Sequence, residues 1–140
     1  MTIGLLIITH EHIGATILET ATKMLGMCPV ATEILAVPLD SDPEEILRRA
    51  SLLVRRLDDG SGVVVLTDMY GSTPANIARH LLEGHNVRVI SGINLPMVVR
   101  ILNYSNLDLH EVACKACEGG RDGVILCDGE TSNSQCCEEK

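Results

Sequence analysis

Aromatic side chains are almost missing from this sequence: it holds two tyrosines and neither phenylalanine nor tryptophan. Stacking platforms for unpaired bases are therefore lacking, which argues against a single-stranded nucleic-acid binder. Positive charge is scarce too, with 11 Lys and Arg against 19 Asp and Glu and a formal net charge of −8. Such a surface repels a phosphate backbone and favours a basic protein partner. No apolar run approaches the roughly 18 residues that a membrane-spanning helix needs. No basic segment precedes the first apolar run, as a secretory signal would require. The expectation is a cytoplasmic protein with no nucleic-acid partner and no membrane insertion. There is also no G-x-G-x-x-G after the first apolar run and no Walker A lysine motif. Dinucleotide and nucleoside-triphosphate sites of those kinds are not expected, and no cofactor is called for.

What is present is aliphatic. The 140 residues are 46% hydrophobic, enough for one domain with a core of Ile, Leu, Val, Ala and Met. Short apolar runs alternate with helical spacing. Ile3–Thr9 reads as a strand buried on both faces. Ile13, Ile17, Leu18, Ala21, Met24 and Leu25 share one face of a helix spanning His12 to Met27, stopped by Cys28-Pro29. Glu33–Leu39 is a second strand. Ser41-Asp42-Pro43-Glu44-Glu45 opens a helix with a cap residue, a first-turn proline and acids at the positive dipole end; it runs to about Asp58. Gly62–Thr67 is a third strand, Met69–Thr73 a loop, and Thr73-Pro74 the start of another helix, capped by Thr73 and carrying Ile77, Ala78, Leu81 and Leu82. Val87–Ser91 is a fourth strand, followed by a helix opened by Pro96. An amphipathic stretch from Leu107 to about Cys117 ends before Gly119-Gly120, and Gly123–Cys127 is a last short strand. Residues 128–140 are polar, lack periodicity and read as a disordered tail. The alternation predicts an α/β domain over 1–127, a mainly parallel open sheet with helices on both faces.

Reacting groups in such sheets gather just past the carboxyl ends of the strands. Three of these ends carry polar residues: Thr9-His10, Thr67-Asp68 and Ser91-Gly92-Ile93-Asn94. Asp68 is placed to accept a hydrogen bond from one ring nitrogen of His10, leaving the other lone pair outward as a nucleophile. Gly71, Ser72 and Thr73 precede Pro74, and small residues there let the backbone approach a ligand while a helix N-terminus offers N–H groups to a dianion. Each residue has a plainer use, as a loop histidine, a turn aspartate and a helix cap. Together they make a seat for a phosphohistidine: His10 would take up a phosphoryl group and pass it on, by positioning and charge stabilisation.

Of the remaining histidines, His12 reads as a solvated helix start and His80, His85 and His110 as surface residues. Cys114-x-x-Cys117 and Cys136-Cys137 are thiolates of a kind that bind zinc, but the adjacent pair lies on the tail, and no metal is assigned. Cys28 and Cys127 read as small core or near-core residues.

The segments "GLLIITHEHIG", "VVVLTDMYGSTPANIA" and "VISGINLPMVVRIL", in this order, resemble the mannose-type enzyme IIA components of the bacterial phosphoenolpyruvate-dependent sugar phosphotransferase system. The resemblance spans about residues 1–127. It implies that His10 is the phosphorylated residue, that Asp68 orients it so that Nε2 takes the phosphoryl group, and that amides of Gly71, Ser72 and Thr73 cover the phosphate. Ser72 stands where the family usually has a second glycine, and Thr73 at the family's serine. Thr9, Thr67, Gly92 and Asn94 would line the site. It also implies phospho-HPr as donor, a IIB component as acceptor, and a homodimer in which the last strand, Gly123–Cys127, can be exchanged. Some family members continue into a IIB domain; this chain reads as a stand-alone IIA, for which transport and purely regulatory roles are both open.

Overall fold

The computed structural model describes residues 2–129. The strands are β1 (Gly4–His10), β2 (Thr32–Val37), β3 (Val63–Thr67) and β4 (Val87–Ser91), and the helices are α1 (Ile13–Leu25), α2 (Pro43–Leu57), α3 (Thr73–His80), α4 (Leu95–Asn103) and α5 (Leu109–Asp122). All strand pairs are parallel, in the order β2-β1-β3-β4. Alternate strand residues feed two cores. Leu5, Ile7, Val64 and Leu66 pack with α1, α4 and α5, and Leu6, Ile8, Val63 and Val65 with α2 and α3. The sheet is thus covered on both faces, which is why its central strands carry continuous apolar runs rather than alternating. The expected α/β architecture is the observed one.

Chain order decides where a site can form. After β1 the chain leaves toward α1 on one face; after β3 it leaves toward α3 on the other. β1 and β3 are neighbours, so their carboxyl ends border the crevice where strand order reverses. Gly14 seats α1 against β1: a Cβ there would lie 2.4 Å from the Ile7 side chain and 3.1 Å from that of Thr9.

Several element ends differ from the sequence reading. Gly26, left-handed at φ 80°, ends α1 before Cys28-Pro29 is reached. Pro38 follows Val37, and β2 ends two residues before Leu39. Ile13 and Met24, assigned to the buried face of α1, are exposed, as is Leu82 beyond α3. Asp42 is the cap of α2, its carboxylate accepting from the Glu44 amide. The largest correction concerns α5, which passes through Gly119-Gly120 instead of stopping there. These glycines are contact points: a Cβ on Gly119 would lie 2.8 Å from Arg100 Cβ, and one on Gly120 2.7 Å from Met97 Cε. Packing against α4 outweighs the low helix propensity of glycine. Gly123–Cys127 forms no strand of the sheet; Gly123 caps α5, and Val124, Ile125 and Leu126 are exposed. Cys28 and Cys127 are exposed, not near-core.

The close approach at Gly14 makes a simple test. Gly14→Ala should lower unfolding free energy by about 1–3 kcal/mol, the usual penalty for overpacking, measured by urea denaturation. A loss within experimental error would show that α1 can shift without consequence.

Candidate functional site

His10 is the last residue of β1, and its register partner on β2 is Val37. Ile8 pairs with Thr67, so the residue after Thr67 emerges beside the end of β1. That residue is Asp68. Its Oδ2 lies 2.8 Å from His10 Nδ1 and also accepts from the His10 amide at 3.0 Å. Its Oδ1 accepts from the Met69 amide at 2.9 Å. An ionised carboxylate only accepts, so Nδ1 is the donating nitrogen and Nε2 carries the lone pair. The His10 side chain keeps 30% of its surface exposed and that of Asp68 13%. Burial pushes the Asp68 pKa up, but the hydrogen bonds from the His10 ring, the His10 amide and the Met69 amide outweigh it and hold the carboxyl below its ordinary range.

The turn from Asp68 to α3 is built on its own hydrogen bonds. The Ser72 amide and hydroxyl both donate to the Met69 carbonyl, at 3.2 and 2.6 Å. Gly71 takes φ 86°, a left-handed conformation for which glycine is suited. Ser72, not Thr73, is the N-cap of α3, and no side chain caps the helix, because the serine hydroxyl is turned back to Met69. The helix start therefore offers the main-chain N–H groups of Thr73 and Ala75, which have no carbonyl partner within the helix. Gly71 and Thr73 are exposed, with Ser72 half-buried.

The other lining candidates serve the scaffold. Thr9 is buried; its hydroxyl donates to the His10 carbonyl and accepts from the Gly14 amide, 3.0 Å away. The buried Thr67 hydroxyl donates to Ser91 Oγ at 3.0 Å. Gly92 and Ile93 amides donate to the Thr67 carbonyl, tying the β4–α4 turn to β3. Asn94 caps α4 by accepting from the Met97 amide, and its Nδ2 donates to the Gly120 carbonyl. The hydroxyls of Thr9 and Thr67 and the side chain of Asn94 are thus engaged within the scaffold.

Sequence reasoning missed Glu11. It has φ 46°, the only positive value at a non-glycine among the described residues, and its amide donates to the Val37 carbonyl. Strained backbone of this kind gathers at functional edges, but a single sequence carries no signal for it. Cys114 and Cys117 lie on α5, with Cys114 Sγ 3.5 Å from His110 Nε2. Cys136 and Cys137 fall outside the described residues. Among the described residues, no three His, Cys, Asp or Glu are grouped to hold a metal ion, and no helix is long and apolar enough to cross a membrane.

Two outcomes test this geometry. Asp68 has a lower pKa folded than its ordinary 3.8, so its ionised form favours the folded state above about pH 4 and that contribution fades as pH falls through the folded pKa. The melting-temperature gap between wild type and Asp68→Asn should hold above about pH 5 and close below about pH 4; a gap unchanged down to about pH 2.5 would contradict it. Glu11→Gly should raise stability by roughly 0.5–1 kcal/mol by relieving the left-handed strain, with Glu11→Val lowering it by at least as much; chemical denaturation measures both.

Comparison with known proteins places the sequence in a family. Residues 4–116 match the family described as "PTS system fructose IIA component", EIIA-man. The chain is 33% identical over 127 residues to the PTS system mannose-specific EIIAB component of Escherichia coli (strain K12), covering 89% of this chain and 39% of that one. It is 31% identical over 114 residues to the transcriptional regulatory protein LevR of Bacillus subtilis (strain 168), covering 79% of this chain and 12% of that one. The chain thus spans well under half the length of these relatives. In fold it resembles the mannose/sorbose-specific IIA subunit of Enterococcus faecalis, with a TM-score of 0.82, 20% identity, and coverage of 94% of this chain and 98% of that one. An α/β sheet ending on a paired histidine and aspartate, read together with these matches, places the chain in the mannose-type enzyme IIA family of the phosphotransferase system.

Proposed function

We propose that this chain is a phosphocarrier whose His10 accepts a phosphoryl group from phospho-HPr and passes it to a histidine of a IIB component. The observation that carries this reading is the 2.8 Å contact between His10 Nδ1 and Asp68 Oδ2. It fixes the tautomer, so that Nε2 keeps its lone pair for attack. In the transfer, Nε2 forms a bond to phosphorus as the donor's P–N bond breaks, and that electron pair returns to the donor imidazole. The proton stays on Nδ1. Asp68 offsets the positive charge that builds on the ring, and amides of the Gly71-Ser72-Thr73 turn and the α3 start cover the phosphoryl oxygens. Onward transfer runs the same step in reverse, to the acceptor histidine. No cofactor enters it.

The turns around this site, 10–13, 68–73 and 91–94, contain no lysine or arginine. Main-chain dipoles are then the groups available to hold the dianion, a moderate grip that suits a carrier obliged to let go. The same reading places the protein in the cytoplasm, with residues 1–127 as the IIA domain. It also makes the protein a homodimer, in which the exposed segment 123–127 pairs with a second copy.

A second reading has its own support. The likeness to LevR, a transcriptional regulatory protein, fits a chain whose His10 phosphorylation changes partner binding without sugar uptake. The chemistry at His10 is shared; the destination of the phosphoryl group differs.

Intact-mass spectrometry after incubation with phosphoenolpyruvate, enzyme I and HPr tests the shared step. Wild type should gain one acid-labile phosphoryl group and His10→Ala none. Asp68→Ala should slow the gain by roughly 10- to 100-fold, the usual effect of losing the group that orients a working histidine. Labelling that persists in His10→Ala sinks the proposal. Transfer onward to a IIB component separates the carrier from the purely regulatory reading.

A further inference from the structure

Two side chains able to bind a metal meet far from His10. The start of α5 lies at the amino edge of the sheet, where His110 shares an open cleft with Gly60, Ser61 and Asn86, the residues that lead into β3 and β4. Cys114 follows four residues later on the same helix, so the two side chains share one face. Both residues are exposed. Cys114 Sγ lies 3.5 Å from His110 Nε2. A tetrahedral zinc ion, with Zn–N of about 2.0–2.1 Å and Zn–S of about 2.3 Å, sets those two ligand atoms about 3.5–3.6 Å apart. The pair already stands at that separation, and closing on a cation requires no movement of the helix.

The scaffold under the pair is firm. Asp108 and Glu111 form a capping box around the first turn of α5, and Leu109, Val112, Ala113 and Ala116 bury its other face. Cys117, the second thiol of this helix, serves a different place. It is half-buried and lines a cleft with Ser91, Gly92 and Gly120 at the carboxyl edge. Among the described residues no third His, Cys, Asp or Glu joins His110 and Cys114.

We propose that His110 Nε2 and Cys114 Sγ form a two-point chelate for a thiophilic divalent cation of the zinc class, with water at the other positions. One nitrogen and one sulfur donor select zinc, cobalt or cadmium over magnesium and calcium, which take oxygen ligands. On binding, the Cys114 thiol gives its proton to solvent, and a sulfur electron pair goes to the metal; the imidazole binds through the Nε2 lone pair. Two protein ligands make an exchangeable site, unlike the closed four-ligand kind that holds a fold together. The site is separate from the phosphocarrier reading and stands whether or not that reading does.

The test titrates the reduced, metal-free full chain with cobalt(II), whose near-ultraviolet charge-transfer band reports thiolate ligation, and then displaces cobalt with zinc. Cys114→Ser should remove the band. His110→Ala should weaken cobalt binding by about tenfold or more, since losing a group that merely supports a ligand already costs that much. Cys117→Ser and Cys136→Ser/Cys137→Ser should bind within about twofold of wild type, and magnesium should not compete. Zinc should also slow alkylation of Cys114 by iodoacetamide, located by peptide mass mapping. Circular dichroism melting checks that each variant is folded. A band that persists in Cys114→Ser overturns the proposal, as does binding by His110→Ala within about twofold of wild type. Loss of the band in Cys136→Ser/Cys137→Ser overturns it too, because the thiolate then comes from elsewhere. If wild type shows no band, the contact is a thiol–imidazole hydrogen bond alone, and the proposal has failed.

Discussion

The contact between His10 and Asp68 organises the working edge of this protein. One carboxylate oxygen receives both the ring N–H and the main-chain N–H of His10, so a single atom sets where β1 ends and how the imidazole is turned. The second oxygen receives the Met69 amide and opens the turn that leads to α3. With three donors on one half-buried carboxylate, ionisation is favoured despite the burial that opposes it. The residues are 58 positions apart in the chain. They meet only because β1 and β3 are parallel neighbours whose ends border the crevice between opposite-face connections.

The scaffold beneath this contact is tied in a consistent way. Buried Thr9 and Thr67 carry hydroxyls, and these lock the β1–α1 turn and the β3–β4 junction rather than facing the site. Asn94 caps α4 and reaches α5 through the Gly120 carbonyl. The glycines of α5 allow that approach, because any larger side chain would strike Arg100 or Met97 of α4. Groups that look functional on paper therefore hold three strand ends in register. A site of this kind needs positions held closely, since a proton-bearing Nδ1 aimed elsewhere would leave Nε2 misdirected.

The edge combines a histidine in turns without lysine or arginine, a helix start without a side-chain cap, and exposed apolar residues. In the phosphocarrier reading these belong together. The turns beside the histidine hold no lysine or arginine, so in that reading main-chain N–H groups are what cover the phosphoryl oxygens.

Fold class was legible in the sequence because buried parallel strands are uninterrupted apolar runs, and amphipathic helices repeat every three to four residues. The runs at Ile3–Thr9 and Gly62–Thr67 could be little else. Rules for strand ends in such sheets bring His10, Asp68 and the Gly71–Thr73 turn into one neighbourhood from sequence alone. Local signals failed where a distant contact outweighed local preference. Gly119-Gly120 read as a stop but lies inside a helix, because α4 packs there. Thr73 read as a cap, but the Ser72 hydroxyl bonds Met69 instead and leaves α3 uncapped. The left-handed Glu11 and the exposure of Leu39, Met69 and Tyr70 had no signature at all. Backbone strain and solvent exposure are set by how separate strands end beside one another, which only the tertiary structure decides.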